Sequence, residues 1–218
     1  MSNSGPLDIL CEALVAVTGP LSCSFLSAGQ AFTGTQSVSL PDKEEESWKL
    51  SVRILGCDFE RGYICGSMKA LYVLAQDAPP VVETFWEGEI VDTRNFTFHS
   101  DKMHVRPVVD MQNWLRFNCF AQLEFHSGYE GAQVDLSMHQ YIYMRWYERS
   151  DKNPGSYYDI SSGGFYYVCI SCLEGSIIGC YYYANGEEFV AAPTILEFML
   201  EAVNEGRFGF SSSSYELQ

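Results

Sequence analysis

The chain has 218 residues and a net charge of −15, from 13 Lys and Arg against 28 Asp and Glu; 47% of it is hydrophobic and 15% aromatic. That much apolar side chain excludes a disordered chain and suffices for the core of one large domain. The acidic balance excludes nucleic acid and anionic membrane as partners, because phosphates need cations to neutralise them.

Residues 1–24 are read as an N-terminal extension. The apolar stretch in "MSNSGPLDILCEALVAVTGPLS" is interrupted by Asp8 and Glu12 and has no basic leader. No apolar run is long enough for a membrane helix. The expectation is a soluble intracellular protein without membrane insertion, cytoplasmic, with the nucleus left open.

Strand-like segments then follow one another. In "SWKLSVRIL" (47–55), Trp48, Leu50, Val52 and Ile54 share one face. "GYICGSMKAL" (62–71) and "PVVETFWEGEIVD" (80–92) are strand-like and parted by a loop containing Pro79 and Pro80. "NFTFH" (95–99), "WLRFNCFAQLEF" (114–125), "HQYIYMRWYERS" (139–150), "GGFYYVCISC" (163–172) and "GSIIGCYYYA" (175–184) continue the series. About eight β segments separated by Gly, Asp, Ser and Pro turns predict an antiparallel sandwich or barrel over 25–206. "APTILEFMLEAVNEG" (192–206) predicts a closing helix, since Leu196, Met199, Leu200 and Val203 fall at helical spacing, with Pro193 at N1 and Gly206 beyond the end. Residues 207–218, with their serine run, read as a flexible tail.

The eight cysteines are scattered, not spaced as a disulfide framework. Strand periodicity sends Cys169 and Cys172 of "CISC" to opposite faces, and no second pair completes four zinc ligands, so no metal or other cofactor is expected. Nucleophile-elbow, phosphate-loop, zincin and dinucleotide motifs are missing. Glu87 and Glu89 in "FWEGEIVD" are the one candidate acid pair, and alternation places them on an outer face beside water.

One residue breaks its pattern. In the run Ile142, Met144, Trp146 the next position of the same parity is Glu148, a carboxylate aimed where a core residue is expected. Parity alone leaves Glu148 open between a rim residue and an inward acid.

Six segments in order, "FLSAGQAFTGTQ" (25–36), "YICGSMK" (63–69), "TFWEGEI" (84–90), "YIYMRWYE" (141–148), "GGFYYVCI" (163–170) and "SIIGCYYY" (176–183), resemble the Vid24-type substrate receptors of the GID/CTLH ubiquitin ligase. The resemblance implies a calycin-like antiparallel barrel without catalytic activity. Its mouth would capture the free N-terminus of a client protein beginning with proline or another small apolar residue. By motif, Glu148 matches the acid that pairs with the client's ammonium, and Tyr166 and Tyr181 match pocket tyrosines. Gln36 matches a glutamine bonding the client's backbone. Met68 aligns with a wall residue, and Leu74 and Val82 are assigned to the wall with it. Tyr215 and Leu217 in "SYELQ" resemble endings that dock on the ligase's armadillo-repeat scaffold subunit. Two stretches depart from the family: "DISSGGFYY" is shorter and "KALYVLAQDAPPVVETF" longer, and both edge the mouth. The alternatives from other classes are a barrel carrying an apolar small molecule and, behind it, a glycosidase-like barrel.

Overall fold

A computed structural model of the protein describes residues 23–39, 46–72, 81–100, 102, 105–123, 136, 139–149, 165–182 and 195–203. Eight strands make up most of it: β1 (Ala31–Ser39), β2 (Glu46–Asp58), β3 (Tyr63–Tyr72), β4 (Val81–Ile90), β5 (Tyr141–Arg149), β6 (Phe165–Ser171), β7 (Ser176–Tyr182) and β8 (Ile195–Ala202). Each pairs antiparallel with the next, and β8 pairs back onto β1, so the sheet closes into a barrel with no free edge. Of the sandwich and the barrel that alternating short strands allow, the chain forms the barrel, as the family resemblance implies.

Alternation sorts the side chains into two apolar clusters. The inward cluster runs from Phe32, Val52, Ile54 and Ile64 to Met144, Trp146, Val168, Ile177 and Leu200, all buried. Fully burying each such aliphatic side chain stabilises the fold by about 1.5–3 kcal/mol. The base of the barrel is stoppered by a 3₁₀ turn, Ser24–Leu26, whose Leu26 is buried, with Cys23, in the inward core.

The second cluster lies outside the barrel. Between β4 and β5 the described residues include a short helix, α1 (Pro107–Trp114), and a 3₁₀ turn (Phe120–Gln122), packing Phe98, Val109, Trp114, Phe117 and Phe120 onto the outer faces of Tyr143, Phe165 and Tyr167. "NFTFH" and "WLRFNCFAQLEF" are therefore not strands. Their aromatics cover the barrel wall instead of joining the sheet. The missed helix carries its own start signal, Pro107 at its first turn with Asp110 following.

The closing helix expected over 192–206 is also corrected, because Ile195–Ala202 is strand β8. The segment satisfies both periods. Phe198, Leu200 and Ala202 alternate inward, while Glu197, Met199 and Glu201 alternate to the exposed side. A helix would leave the edges of β1 and β7 unpaired, so closure of the sheet overrides the local helical pattern. The extension over 1–22 and the tail over 207–218 lie outside the described residues.

Candidate functional site

Strand direction gives the barrel two unlike ends. β1, β3, β5 and β7 finish, and β2, β4, β6 and β8 begin, at the end opposite the 3₁₀ stopper. At this mouth the inward positions turn polar. β5 delivers Glu148, held in register with Trp86 of β4, and β6 delivers Tyr166, in register with Trp146 on one side and Tyr181 on the other. β1 delivers Gln36, in register with Trp48 and Phe198.

Glu148 is half-buried and inward, not a rim residue past the strand's end. The Tyr166 hydroxyl donates to its Oε1 at 3.2 Å. Burial pushes the Glu148 carboxyl above its ordinary range, and the tyrosine's hydrogen bond offsets part of that rise. Among the described residues no cation pairs with it. Tyr166 is itself buried, its phenol held far above its usual range by desolvation and by the adjacent carboxylate, so it stays a donor. The ring of Tyr181 lies 4.7 Å from that of Tyr166, and Phe198 backs Tyr166 at 5.5 Å. The Gln36 amide faces the Tyr166 hydroxyl, yet among the described residues its Nε2 meets no acceptor in good geometry, at a residue only 8% exposed.

Met68 is buried on the inward face of β3, in register with Thr84, and Val82 follows at the entrance, 47% exposed. The structure thus brings Gln36, Met68, Val82, Glu148, Tyr166 and Tyr181 to one end of the barrel. Leu74, Tyr215 and Leu217 lie outside the described residues, as do most of the two stretches that depart from the family pattern.

The other candidate acids fare differently. Glu87 is half-exposed, bonded by the Tyr63 hydroxyl at 3.1 Å and paired with Arg149 at 3.0 Å. Glu89, expected beside water, is buried because the segment after β4 folds over it. Lys102 pairs with it at 2.5 Å, the Tyr147 hydroxyl donates to it at 3.1 Å, and Arg145 lies 3.7 Å away. These are structural contacts on the outer wall. Cys169 and Cys172 separate as periodicity predicts. Cys169 sits in the outer cluster 3.2 Å from Cys119, while Cys172 packs at the inner base beside Cys23.

Sequence reasoning did not assign the aromatic side chains beneath Glu148. Trp86 and Trp146 stack with ring centroids 4.1 Å apart. Their alternation was readable, but their meeting across β4 and β5 depends on register, which a single sequence does not show.

What the mouth can do is hold a cationic group against a carboxylate in partly desolvated surroundings, with an amide N–H beside it for an oxygen acceptor. The chain matches the family described as vacuolar import and degradation protein over residues 25–192. It is 30% identical over 169 residues to the mouse protein named glucose-induced degradation protein 4 homolog, covering 75% of this chain and 74% of that protein. It is 27% identical over 187 residues to GID complex substrate-recognition subunit 4 of Schizosaccharomyces pombe, covering 77% of this chain and 89% of that one. Against subunit 10 of the same yeast complex it is 28% identical over 176 residues, covering 76% of this chain but only 31% of the relative. The family pattern takes in seven of the eight strands and every described residue of the mouth except Phe198, and on that ground the chain belongs to the vacuolar import and degradation protein family.

Proposed function

We propose that this protein is the substrate-recognition subunit of a GID-type ubiquitin ligase, and that its barrel mouth captures the free N-terminus of a client protein without performing chemistry. The observation that carries the reading is Glu148, an inward carboxylate whose polar partner among the described residues is a neutral tyrosine hydroxyl. A chain's α-ammonium is the one backbone feature with the opposite charge. Proline or another small apolar residue leads the expected preference, with Met68 and Val82 offering apolar contact on inward positions at the same end of the barrel. Two relatives bear the name of substrate-recognition subunits, which supports placing this chain in the same role. The Trp86, Trp146 and Phe198 rings occupy the section of barrel that a carrier of an apolar molecule would leave open.

The test is a peptide library with a free N-terminus varied at position one. Apolar first residues should bind and acidic ones should not, since a carboxylate beside Glu148 repels it. Affinity that ignores the first residue would contradict the reading.

The tail belongs to the same proposal. Tyr215 and Leu217, which follow a run of four serines in the sequence, are assigned to docking on the ligase's armadillo-repeat scaffold subunit. Deleting 214–218 should leave melting temperature and peptide affinity unchanged while reducing co-purification with the scaffold. A truncated chain that still assembles fully would refute the docking role.

A further inference from the structure

The mouth has a floor whose construction is unlike the rest of the barrel. Trp86 is 1% exposed and in direct register with Glu148; Trp146, fully buried, lies one inward step deeper on β5. Their rings stack at an interplanar angle of 15°, and Phe198 continues the plate at 6.1 Å and 20° from Trp146. Space for the plate comes from glycines at inward positions of the neighbouring strands. A Cβ on Gly66 would fall 2.3 Å from Cζ2 of Trp86, one on Gly88 2.8 Å from Cδ1 of Trp146, and one on Gly179 2.1 Å from Cζ of Phe198. The base of the same barrel is filled by aliphatic residues such as Ile54, Ile64, Ile170 and Ile177. The ring plate is thus confined to the level of the acid.

The second observation concerns hydrogen bonding. The indole N–H of Trp114, buried in the outer cluster, donates to the Phe98 carbonyl at 2.8 Å. Among the described residues the indole N–H groups of Trp86 and Trp146 meet no partner, although both rings are buried and both face inward. An unsatisfied buried donor is destabilising, so its retention points to an acceptor that arrives from outside. With the Gln36 amide these make three inward-facing donors in the mouth half of the barrel, two of them on the strand that carries Glu148 and its β4 neighbour.

Resting on the reading of the mouth as an N-terminus site, we propose that the Trp86–Trp146 plate is the floor on which the first residue of the bound chain rests. Trp86 limits the size of that residue, and its indole N–H serves an oxygen acceptor of the ligand. The rigid stack stops the chain end at the depth of Glu148, so a bulky first side chain meets the ring before its ammonium reaches the acid.

The test compares the wild type with Trp86→Phe on three peptides with free N-termini, identical except for Pro, Leu or Phe at position one. Trp86→Phe shortens the floor. It should raise the affinity for the Leu and Phe peptides relative to the Pro peptide by roughly tenfold or more, the scale set by small changes of volume in an apolar pocket. A second measurement needs no variant to fold. In the nitrogen–proton spectrum of tryptophan-labelled wild type, peptide should shift the indole resonances of Trp86 and Trp146 and leave that of Trp114 in place. A wild type that binds none of the three peptides fails the N-terminus reading and this inference with it. Binding by the wild type with unchanged affinity ratios in folded Trp86→Phe, or with the Trp86 and Trp146 resonances unmoved at saturation, overturns this inference alone.

Discussion

Replacing Glu148 by glutamine should weaken binding of a peptide with a free N-terminus by roughly two to three orders of magnitude, the consequence of removing one partner from a desolvated charge pair worth about 3–5 kcal/mol on truncation. The same substitution should raise the melting temperature of the unliganded protein at neutral pH. Burial lifts the carboxyl's pKa in the folded chain above its unfolded value. A raised carboxyl pKa contributes stability only while the group is protonated, and that contribution is lost as pH rises through the folded value. Above the raised folded value the ionised Glu148 is therefore a cost that glutamine does not carry, and the difference should vanish as pH falls below 4.5, the ordinary value. Binding should follow the opposite course, weakening on the acid side as Glu148 takes up its proton. If Glu148→Gln binds as the wild type does, the acid plays no part in capture.

Arg145→Met should destabilise the fold by about 3–5 kcal/mol, because it takes a fully buried cation from between two buried carboxylates and leaves Lys102 beside Glu89 and the His99 ring beside Asp110 as their ion-pair partners among the described residues. Arg145 is 0% exposed and stands on the outer face of β5, on the strand that carries Glu148 inward. Its Nη1 donates to the Thr97 carbonyl at 2.9 Å and its Nη2 to the Phe98 carbonyl, while Glu89 and Asp110 lie at 3.7 and 3.8 Å. Asp110 also accepts from the Tyr167 hydroxyl at 2.6 Å and from the Ser100 amide at 3.1 Å. The network clamps the segment after β4, with α1, against the barrel wall behind β5 and β6. At about 2–4 °C per kcal/mol for a protein of this size, the melting temperature should fall by roughly 6–20 °C. Adding Glu89→Gln and Asp110→Asn to Arg145→Met should restore part of the loss, since the buried negative charges go with the cation that stood between them. A fall smaller than about 1 kcal/mol in urea melts would show the network to be ornamental to stability.

The barrel strands were legible where one face is core and the other is solvent or covered polar wall, as in Trp48 to Ile54, because period two then has one interpretation. β8 was misread for a physical reason. Leu196, Met199 and Leu200 satisfy a helical stripe while Phe198 and Leu200 satisfy a strand, and what decides between them is the unpaired edge of β1, more than 150 residues away in the chain. The stretch from Phe96 to Phe120 was misread because its aromatics pack on a wall that exists only after the barrel closes. Alternation assigned Glu89 to an outer face, correctly, but an outer face covered by a later segment is no longer beside water. At the mouth, parity put Glu148 in the inward series but left it open between a rim residue and an inward acid; the acid's role and its company of Tyr166, Tyr181 and Gln36 came from family resemblance. The Trp86–Trp146 floor needed register and was readable from neither.

The central claim, that a free α-ammonium is what Glu148 holds, is tested most directly by titrating the wild-type protein calorimetrically with one proline-first peptide in two forms, free and N-acetylated. Acetylation removes the charge and adds an acyl group at the very atom the site is said to grip, while leaving the peptide otherwise unchanged. The account predicts saturable one-to-one binding of the free form and no measurable heat from the acetylated one. Equal affinity for the two would contradict it.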